Sequence, residues 1–430
     1  MLWTRRFLPL FLTQALGALN DNLFKNALVV LIIFRIAAEK ELNGNVLVTL
    51  AAGIFILPFF LFSATAGQLA DKVEKSRLIQ IIKAAEIAIM GCGAVALWSG
   101  GVSLLIFVLF LMGTQSAFFG PVKYSILPDL LDESELIGGN GLVEAGTFLA
   151  ILIGTIAGGL LILGEHGIAA VSACVLILAM AGFAASFGIL KVPGASPELR
   201  INLNFMAETV RILAQSQKQR DIRFSIFGIS WFWLIGATFL TQFPAFSRDV
   251  VAGDETVVTL FLTAFSVGIG IGSLFCNRLL KGKVSAVYVP LGALGLSIFT
   301  ADFYVASQNV MISGDIIGAW DFLAKPTSWR IIFDVMATAI CGGIYIVPLY
   351  AILQSRCAPS HRSRVIAANN IMNALFMVAG AAAVTAMLAS GVTVPGVFLV
   401  VAAINGLVAV YVCRLLPDAL IKGALNRLRR

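Results

Sequence analysis

Lys191–Asp221 reads KVPGASPELRINLNFMAETVRILAQSQKQRD and is the longest polar interval in a chain of 430 residues. Pro193 and Pro197 open it, and residues 201–217 alternate apolar and polar positions as an amphipathic surface helix does. Apolar windows long enough to cross a bilayer lie on both sides of it. Six precede it, near 7–35, 46–70, 78–98, 102–120, 141–163 and 167–190. Six follow, near 223–246, 256–276, 286–306, 331–354, 365–389 and 394–415, the ninth and twelfth being the least clean. The interval therefore predicts three parts: a six-helix half over 1–190, a linker over 191–222 and a second six-helix half over 223–430.

The composition agrees. Apolar residues make up 59% of the chain and charged residues 12%, with a mean hydropathy of +0.95. A soluble domain carries roughly a quarter charged residues, so this chain lacks the polar surface to coat a water-exposed body. Lipid is the alternative solvent, and the 40 glycines suit close helix packing there. The six cysteines are widely spaced, mostly inside apolar runs, and read as small core hydrophobes. His166 and His361 stand in separate loops, so no metal site and no cofactor are expected. Met1–Leu19, with Arg5 and Arg6 ahead of an apolar run, has the outline of a signal peptide. It lacks a convincing small-x-small cleavage site, and apolar character resumes after Asn20-Asp21-Asn22, so it reads as the first span interrupted by a polar cluster.

Basic residues set the orientation. With both termini inside, the inner segments hold most of them: Arg5 and Arg6, Lys72 to Arg77, Lys123, Lys191 to Arg223, Arg278 to Lys283, Arg356 to Arg364, and Arg414 to Arg430. The outer segments hold only Arg35, Lys40, Arg248, Lys325 and Arg330. The net charge of +7 then faces an anionic inner leaflet, and no nucleic acid is needed to explain it.

Two six-span halves about a linker are the organisation of the major facilitator superfamily, so the expected fold is an all-α membrane protein with twelve transmembrane helices. In such folds a substrate site lies near the midplane between halves that rock about it. The loop Gly67-Gln68-Leu69-Ala70-Asp71-Lys72-Val73-Glu74-Lys75-Ser76-Arg77 resembles the superfamily signature G-x-x-x-D-[RK]-x-G-[RK]-[RK], departing at Glu74. A helix ending on a small residue lets another pack closely, and the carboxylate can then take backbone amides or an arginine. Gly67, Asp71, Lys72 and Arg77 are therefore candidates for a conformational latch, against the competing reading of an ordinary charged turn. The matching loop of the second half, Ser273–Arg278, keeps only an echo of the signature.

Charges inside spans are costly in hydrocarbon. Asp21 and Lys25 are four apart, share a helical face and can neutralise each other, with Gln14, Asn20, Asn22 and Asn26 around them. So many amides favour the wall of a polar cavity over a purely structural pair. Lys83 and Glu86, nearer the inner end of span three, read as a local packing pair. Glu144, Asp302 and Asp334 are lone carboxylates of the kind that takes a proton or sodium; satisfaction by helix termini or arginine is the preferred reading. Gly154-Thr155-Ile156-Ala157-Gly158 reads as a packing element. Trp231-Phe232-Trp233 reads equally as core and as aromatic lining.

Several segments go beyond the superfamily. Leu19–Asn22, Gly120-Pro121-Val122-Lys123-Tyr124-Ser125-Ile126-Leu127-Pro128 and Asn140-Gly141-Leu142-Val143-Glu144-Ala145 resemble the lysophospholipid transporters (LplT) of bacterial inner membranes. Tyr345–Ala351 and Arg364–Asn370 resemble the branch in which this transporter is fused ahead of an acyltransferase and an acyl-carrier-protein synthetase. The fusion partners are missing from these 430 residues. The resemblance implies a substrate, lysophosphatidylethanolamine and related lysolipids carried from outer to inner leaflet. It also implies an acyltransferase/acyl-ACP synthetase partner, surrounding membrane lipids, and residence in the inner membrane.

A zwitterionic head group needs an anion for its ammonium and a cation for its phosphate. Asp21 is the candidate for the first and Lys25 or Lys123 for the second, with Asn22 and Glu144 completing the candidate substrate site. Pro121 and Pro128 favour a break between helix and loop around Lys123. In one departure, Gly236–Gln242 of span seven lacks the basic residue expected of the stand-alone transporters, so head-group preference can differ. The rivals are a proton-coupled drug or solute exporter titrating Asp21 or Glu144, a non-transporting scaffold, and a membrane acyltransferase. The last requires H-x-x-x-x-D, whereas Val171 and Ile366 stand five residues after the two histidines, so the chain is not expected to be an enzyme.

Overall fold

A computed structural model describes residues 1–32, 44–310 and 316–415. Arg35, Lys40, Lys422, Arg427, Arg429 and Arg430, which enter the orientation reading, lie outside the described residues. Twelve helices of membrane-spanning length occur among the described residues: α1 Leu8–Leu31, α2 Gly44–Lys72, α3 Lys75–Ser99, α4 Val102–Ser125, α5 Leu136–Ile162, α6 Gly167–Ser186, α7 Arg220–Phe246, α8 Glu255–Leu280, α9 Val289–Ser307, α10 Pro326–Arg356, α11 Arg362–Ala389 and α12 Val394–Leu415. Eleven are long and apolar enough to cross a membrane. The other is α1, whose 24 residues include Gln14, Asn20, Asp21, Asn22, Lys25 and Asn26. Polar groups in a span need partners, and neighbouring helices meet four of these: Asn20, Asp21, Lys25 and Asn26.

The described residues fall into two compact units. The first comprises Met1–Gly139, Leu149–Ile226 and Leu353–Ala374; the second comprises Asn140–Phe148, Phe227–Ile352 and Leu375–Arg430. In the first, α2 packs on α4, and α6 packs on both α1 and α3. The Gly154–Gly158 element brings α5 against α1: a Cβ at Gly154 would lie 2.6 Å from the Leu19 carbonyl oxygen. Asn26 Nδ2 donates to the Thr155 carbonyl at 2.6 Å across the same seam. Small residues let the backbones close, and the amide adds a bond that hydrocarbon cannot compete for.

In the second unit α9 packs on α12, around a phenylalanine stack that includes Phe239, Phe265, Phe303 and Phe398. Trp231 and Phe232 are buried, Trp231 donating to Asn405 Oδ1 at 2.8 Å. Trp233 is half-buried and stacks on Phe148. The aromatic run is thus mainly core.

The linker forms a helix over Phe205–Ser216, with the Asn204 side chain accepting from Ala207 N. Ahead of it the chain runs along the α2–α3 turn, where Lys75 N donates to the Val192 carbonyl at 2.9 Å and Ser196 N to the Asp71 carbonyl at 2.8 Å. Helix α4 corrects one expectation. It runs through Pro121 and Lys123 to Ser125 before a short turn, Leu127–Leu130, with Pro128 in its first positions. Pro121 removes a single helical bond, whereas Pro128 is pre-set for a helix start, so the break falls two residues after Lys123.

Candidate functional site

Two polar clusters occur in the first unit. The deeper one joins α1, α3 and α4. Glu86 is its hub: it receives Lys83 Nζ at 2.5 Å, Gln115 Nε2 at 2.9 Å and Asn20 Nδ2 at 3.1 Å. Ser116 Oγ donates to Asp21 Oδ2 at 2.9 Å, so neighbouring residues of α4 hold both acids. Lys83 and Glu86 are 0% and 1% exposed. Space for the Lys83 ammonium comes from α1, because a Cβ at Gly17 would lie 2.5 Å from its Nζ. The two charges pair within α3 as expected, but the pair is more than local. They tie three helices together, because in a dry interior a carboxylate recruits every donor in reach.

Asp21 and Lys25 are only partly buried. The direct pair suggested by their spacing is not formed among the described residues. Asp21 takes the Ser116 hydroxyl, and the Lys25 ammonium sits 4.4 Å above the Phe55 ring. A cation over an aromatic face keeps much of its charge available. Asn22 Nδ2 donates to the Ala18 carbonyl of its own helix at 2.7 Å. Lys123, partly accessible in the last turn of α4, lies 4.5 Å over the Tyr124 ring. Glu144 is buried and belongs to the second unit. There Arg330 grips Asp302 through two nitrogens, while Asp334 is fully buried.

The second cluster gathers where α2, α4 and α11 end or begin. Asp71 Oδ2 receives Arg364 Nε at 3.0 Å, and Asp71 Oδ1 receives the Ser363 backbone N–H at 2.9 Å. Gly67 allows this: a Cβ there would lie 2.7 Å from Ala367 Cβ and 3.0 Å from Arg364 Cα. Beside it, Asp129 receives Lys75 Nζ at 2.6 Å and Arg362 Nη1 at 2.9 Å. Ser363 Oγ donates to Ser125 Oγ at 2.9 Å. Of the four candidate latch residues, Gly67 and Asp71 meet α11. Lys72 contributes its backbone, against which Gly194 packs, and Arg77 points outward and is exposed. Of the signature's basic positions, Lys75 binds Asp129 rather than Asp71, whose own cation is Arg364 of α11.

Sequence reasoning missed Gln115, Ser116, Asp129 and Lys75 as members of these clusters. Gln115-Ser116 did carry a signal, two adjacent polar side chains inside an apolar span. The Arg362-Ser363-Arg364 triplet carried only its density of charge at a helix start, where cations are disfavoured unless an acid receives them.

Twelve membrane-length helices, with charged groups held inside the bundle and a charge-paired helix end, define a multi-pass membrane transporter. The chain belongs to the Major Facilitator Superfamily, which residues 10–336 match. Among curated relatives, the Lysophospholipid transporter LplT of Serratia proteamaculans (strain 568) is 27% identical over 358 residues, covering 83% of this chain and 81% of the relative. Its namesake from Shigella sonnei (strain Ss046) is 27% identical over 357 residues, with the same coverage. Among solved structures, the human organic anion transporter MFSD10 (TETRAN) matches with a TM-score of 0.71 at 12% identity, covering 94% of this chain and 97% of that one. A bacterial homologue of the iron transporter ferroportin, in an outward-facing state, matches with a TM-score of 0.67 at 14% identity, over 98% and 100%. At such identities the structural likeness speaks for the fold alone.

Proposed function

We propose that this chain carries lysophospholipids, lysophosphatidylethanolamine among them, from the outer to the inner leaflet of a bacterial inner membrane for reacylation. The observation that carries this reading is similarity over most of the chain to transporters named for that cargo. The residues suit it. Asp21, fixed by Ser116 and partly accessible, offers a carboxylate to an ammonium. Lys25 and Lys123, each resting on an aromatic ring, offer cations to a phosphate. Asn22 lies beside Asp21 on α1, and Glu144, on α5 in the second unit, is the remaining acid of the candidate set.

In this reading residues 1–190 and 223–430 are the two moving halves, 191–222 link them, and both termini lie in the cytoplasm. The Gly67–Asp71 contact with Arg364 latches the inner end. An acyltransferase/acyl-ACP synthetase, fused in the branch the sequence resembles, consumes the lipid delivered. Reconstitution into liposomes with labelled lysophosphatidylethanolamine, with and without ion gradients, tests the cargo. Leaflet transfer should exceed that of protein-free liposomes and fall at least tenfold in Asp21→Asn, about the worth of one charge-assisted hydrogen bond. Transfer equal to protein-free liposomes would remove lysolipids as the cargo.

A further inference from the structure

A cavity of about 410 Å³ opens at the end of the first unit where α1 and α3 finish and the α5–α6 turn crosses. One wall is apolar, made by Val30 and Leu31 of α1 with Ile162 at the end of α5 and Ile168 at the start of α6. It continues into the buried cluster around Leu31, Leu97 and Val171. At its rim stand Trp98, 66% exposed, and Leu163, 64% exposed, so the rim faces the medium that bathes the helices. Leu160 and Val95, one turn deeper on the same two helices, are exposed as well. Apolar side chains exposed in this way on a spanning bundle face lipid, and a tryptophan near a helix end marks the level of the head groups.

The remaining wall is polar. Glu165 and His166 are both exposed and line the cavity. The first residues of α6, Gly167 to Ala169, line it too, and the His166 side chain does not cap them. One side chain here is anionic and another is an imidazole. The Gly167 amide is engaged by the Gly164 carbonyl at 2.9 Å, and the Ile168 and Ala169 amides that follow add backbone donors to the imidazole's own. The apolar lining residues lie against the buried cluster on the core side of this polar end.

We propose that this cavity is a docking site at which a lysophospholipid with an ammonium head group enters from the outer leaflet. Glu165 holds the ammonium, His166 and the first α6 amides meet the phosphate, and the lone acyl chain lies along Leu31 and Ile162. The proposal rests on the lysolipid reading above and adds to it a first contact distinct from Asp21 and Lys25. The lipid is taken at the membrane level where Trp98 stands, so it need not leave the bilayer to bind. Volumes of 300–1,000 Å³ are usual for small-ligand sites, and this one suits a head group with the start of one chain.

The test uses the full-length protein in proteoliposomes with two probes, lysophosphatidylethanolamine and lysophosphatidylglycerol, each carrying a photoactivatable diazirine in its acyl chain. In the wild type, acyl-chain crosslinks of the first probe should map to the apolar wall, at Val30, Leu31, Ile162 and Ile168. Glu165→Gln should raise KM for lysophosphatidylethanolamine about fivefold to tenfold with kcat unchanged, as befits one partly exposed charge-assisted contact. The same change should leave KM for lysophosphatidylglycerol, which has no ammonium, where it was. Trp98→Ala should weaken crosslinking of both. Equal KM changes for the two lipids, no change for either, or crosslinks that avoid Val30, Leu31, Ile162 and Ile168 would overturn the docking site while leaving the cargo intact. If wild-type protein moves neither lipid, the cargo reading fails and the docking site falls with it.

Discussion

Replacing Asp71 by Asn should unlatch the α2–α11 contact, and the structure sets the size of the effect. Asp71 is 0% exposed and Arg364 is 5% exposed. Asparagine keeps one acceptor oxygen for the Ser363 amide or for Arg364. Arg364 also keeps its bond to the Ser360 carbonyl at 2.8 Å. What it loses is the compensating charge. Leaving one member of a buried pair uncompensated costs about 3–5 kcal/mol, and the surviving bonds favour the lower end. About 3 kcal/mol corresponds to a factor on the order of a hundred in any equilibrium that makes and breaks the contact. The cost falls on the latched arrangement alone, because once the helices part the guanidinium can reach water. The assay is alkylation of Ala70→Cys in a cysteine-free background. Ala70 is fully buried one residue before Asp71, so its modification reports opening. In the Asp71→Asn protein the modification rate should rise by at least tenfold, while thermal stability in detergent changes by only a few degrees. The double change Asp71→Arg, Arg364→Asp should restore slow labelling. An unchanged rate in Asp71→Asn would refute the latch.

Three further outcomes are expected. Glu86→Gln should destabilise the detergent-solubilised protein by about 3–5 kcal/mol, read as a fall in Tm, because Lys83 is then left buried without its charge partner; the Lys83→Met, Glu86→Gln double variant should recover most of that loss, and no recovery would mean Glu86 acts through Asn20 and Gln115 alone. Single-cysteine labelling should reach Trp320→Cys from the periplasm, and Phe205→Cys only after cells are opened, both positions being exposed; equal labelling of the two from outside would invert the proposed topology. At the start of α8, the Thr256 hydroxyl and the Thr256 and Val257 amides hold the Asp254 carboxyl below its usual range. A depressed folded value gives stability that is present above the unfolded pKa of about 4 and is lost as pH falls through the folded one. Asp254→Ala should therefore cost about 1 kcal/mol at neutral pH and less below pH 4, whereas a constant cost across that range would show that the ionised cap is not what stabilises the helix.

Helix number, length and order were legible in the sequence because each depends on local composition alone. Windows read from hydropathy agree with the twelve helices to within a few residues, and the Lys191–Asp221 interval sits where α6 and α7 part. The polar load of α1 was equally plain, since six amides and charges in one span have no local explanation. The partners of those groups were not legible. Spacing put Lys25 beside Asp21, but Asp21 is met by Ser116, 95 residues away. Glu86 looked paired within α3, and only the packing of α1 and α4 brings it Asn20 and Gln115. The signature loop named Asp71 and the kinds of partner it takes, a backbone amide and an arginine, but not which ones: the bonds come from Ser363 and Arg364, 292 and 293 residues on. Hydrocarbon explains the difference. A span must be apolar wherever it lies, so its existence is written locally. A buried charge must be answered by whichever helix the fold brings within 3 Å, and sequence order carries no trace of that distance.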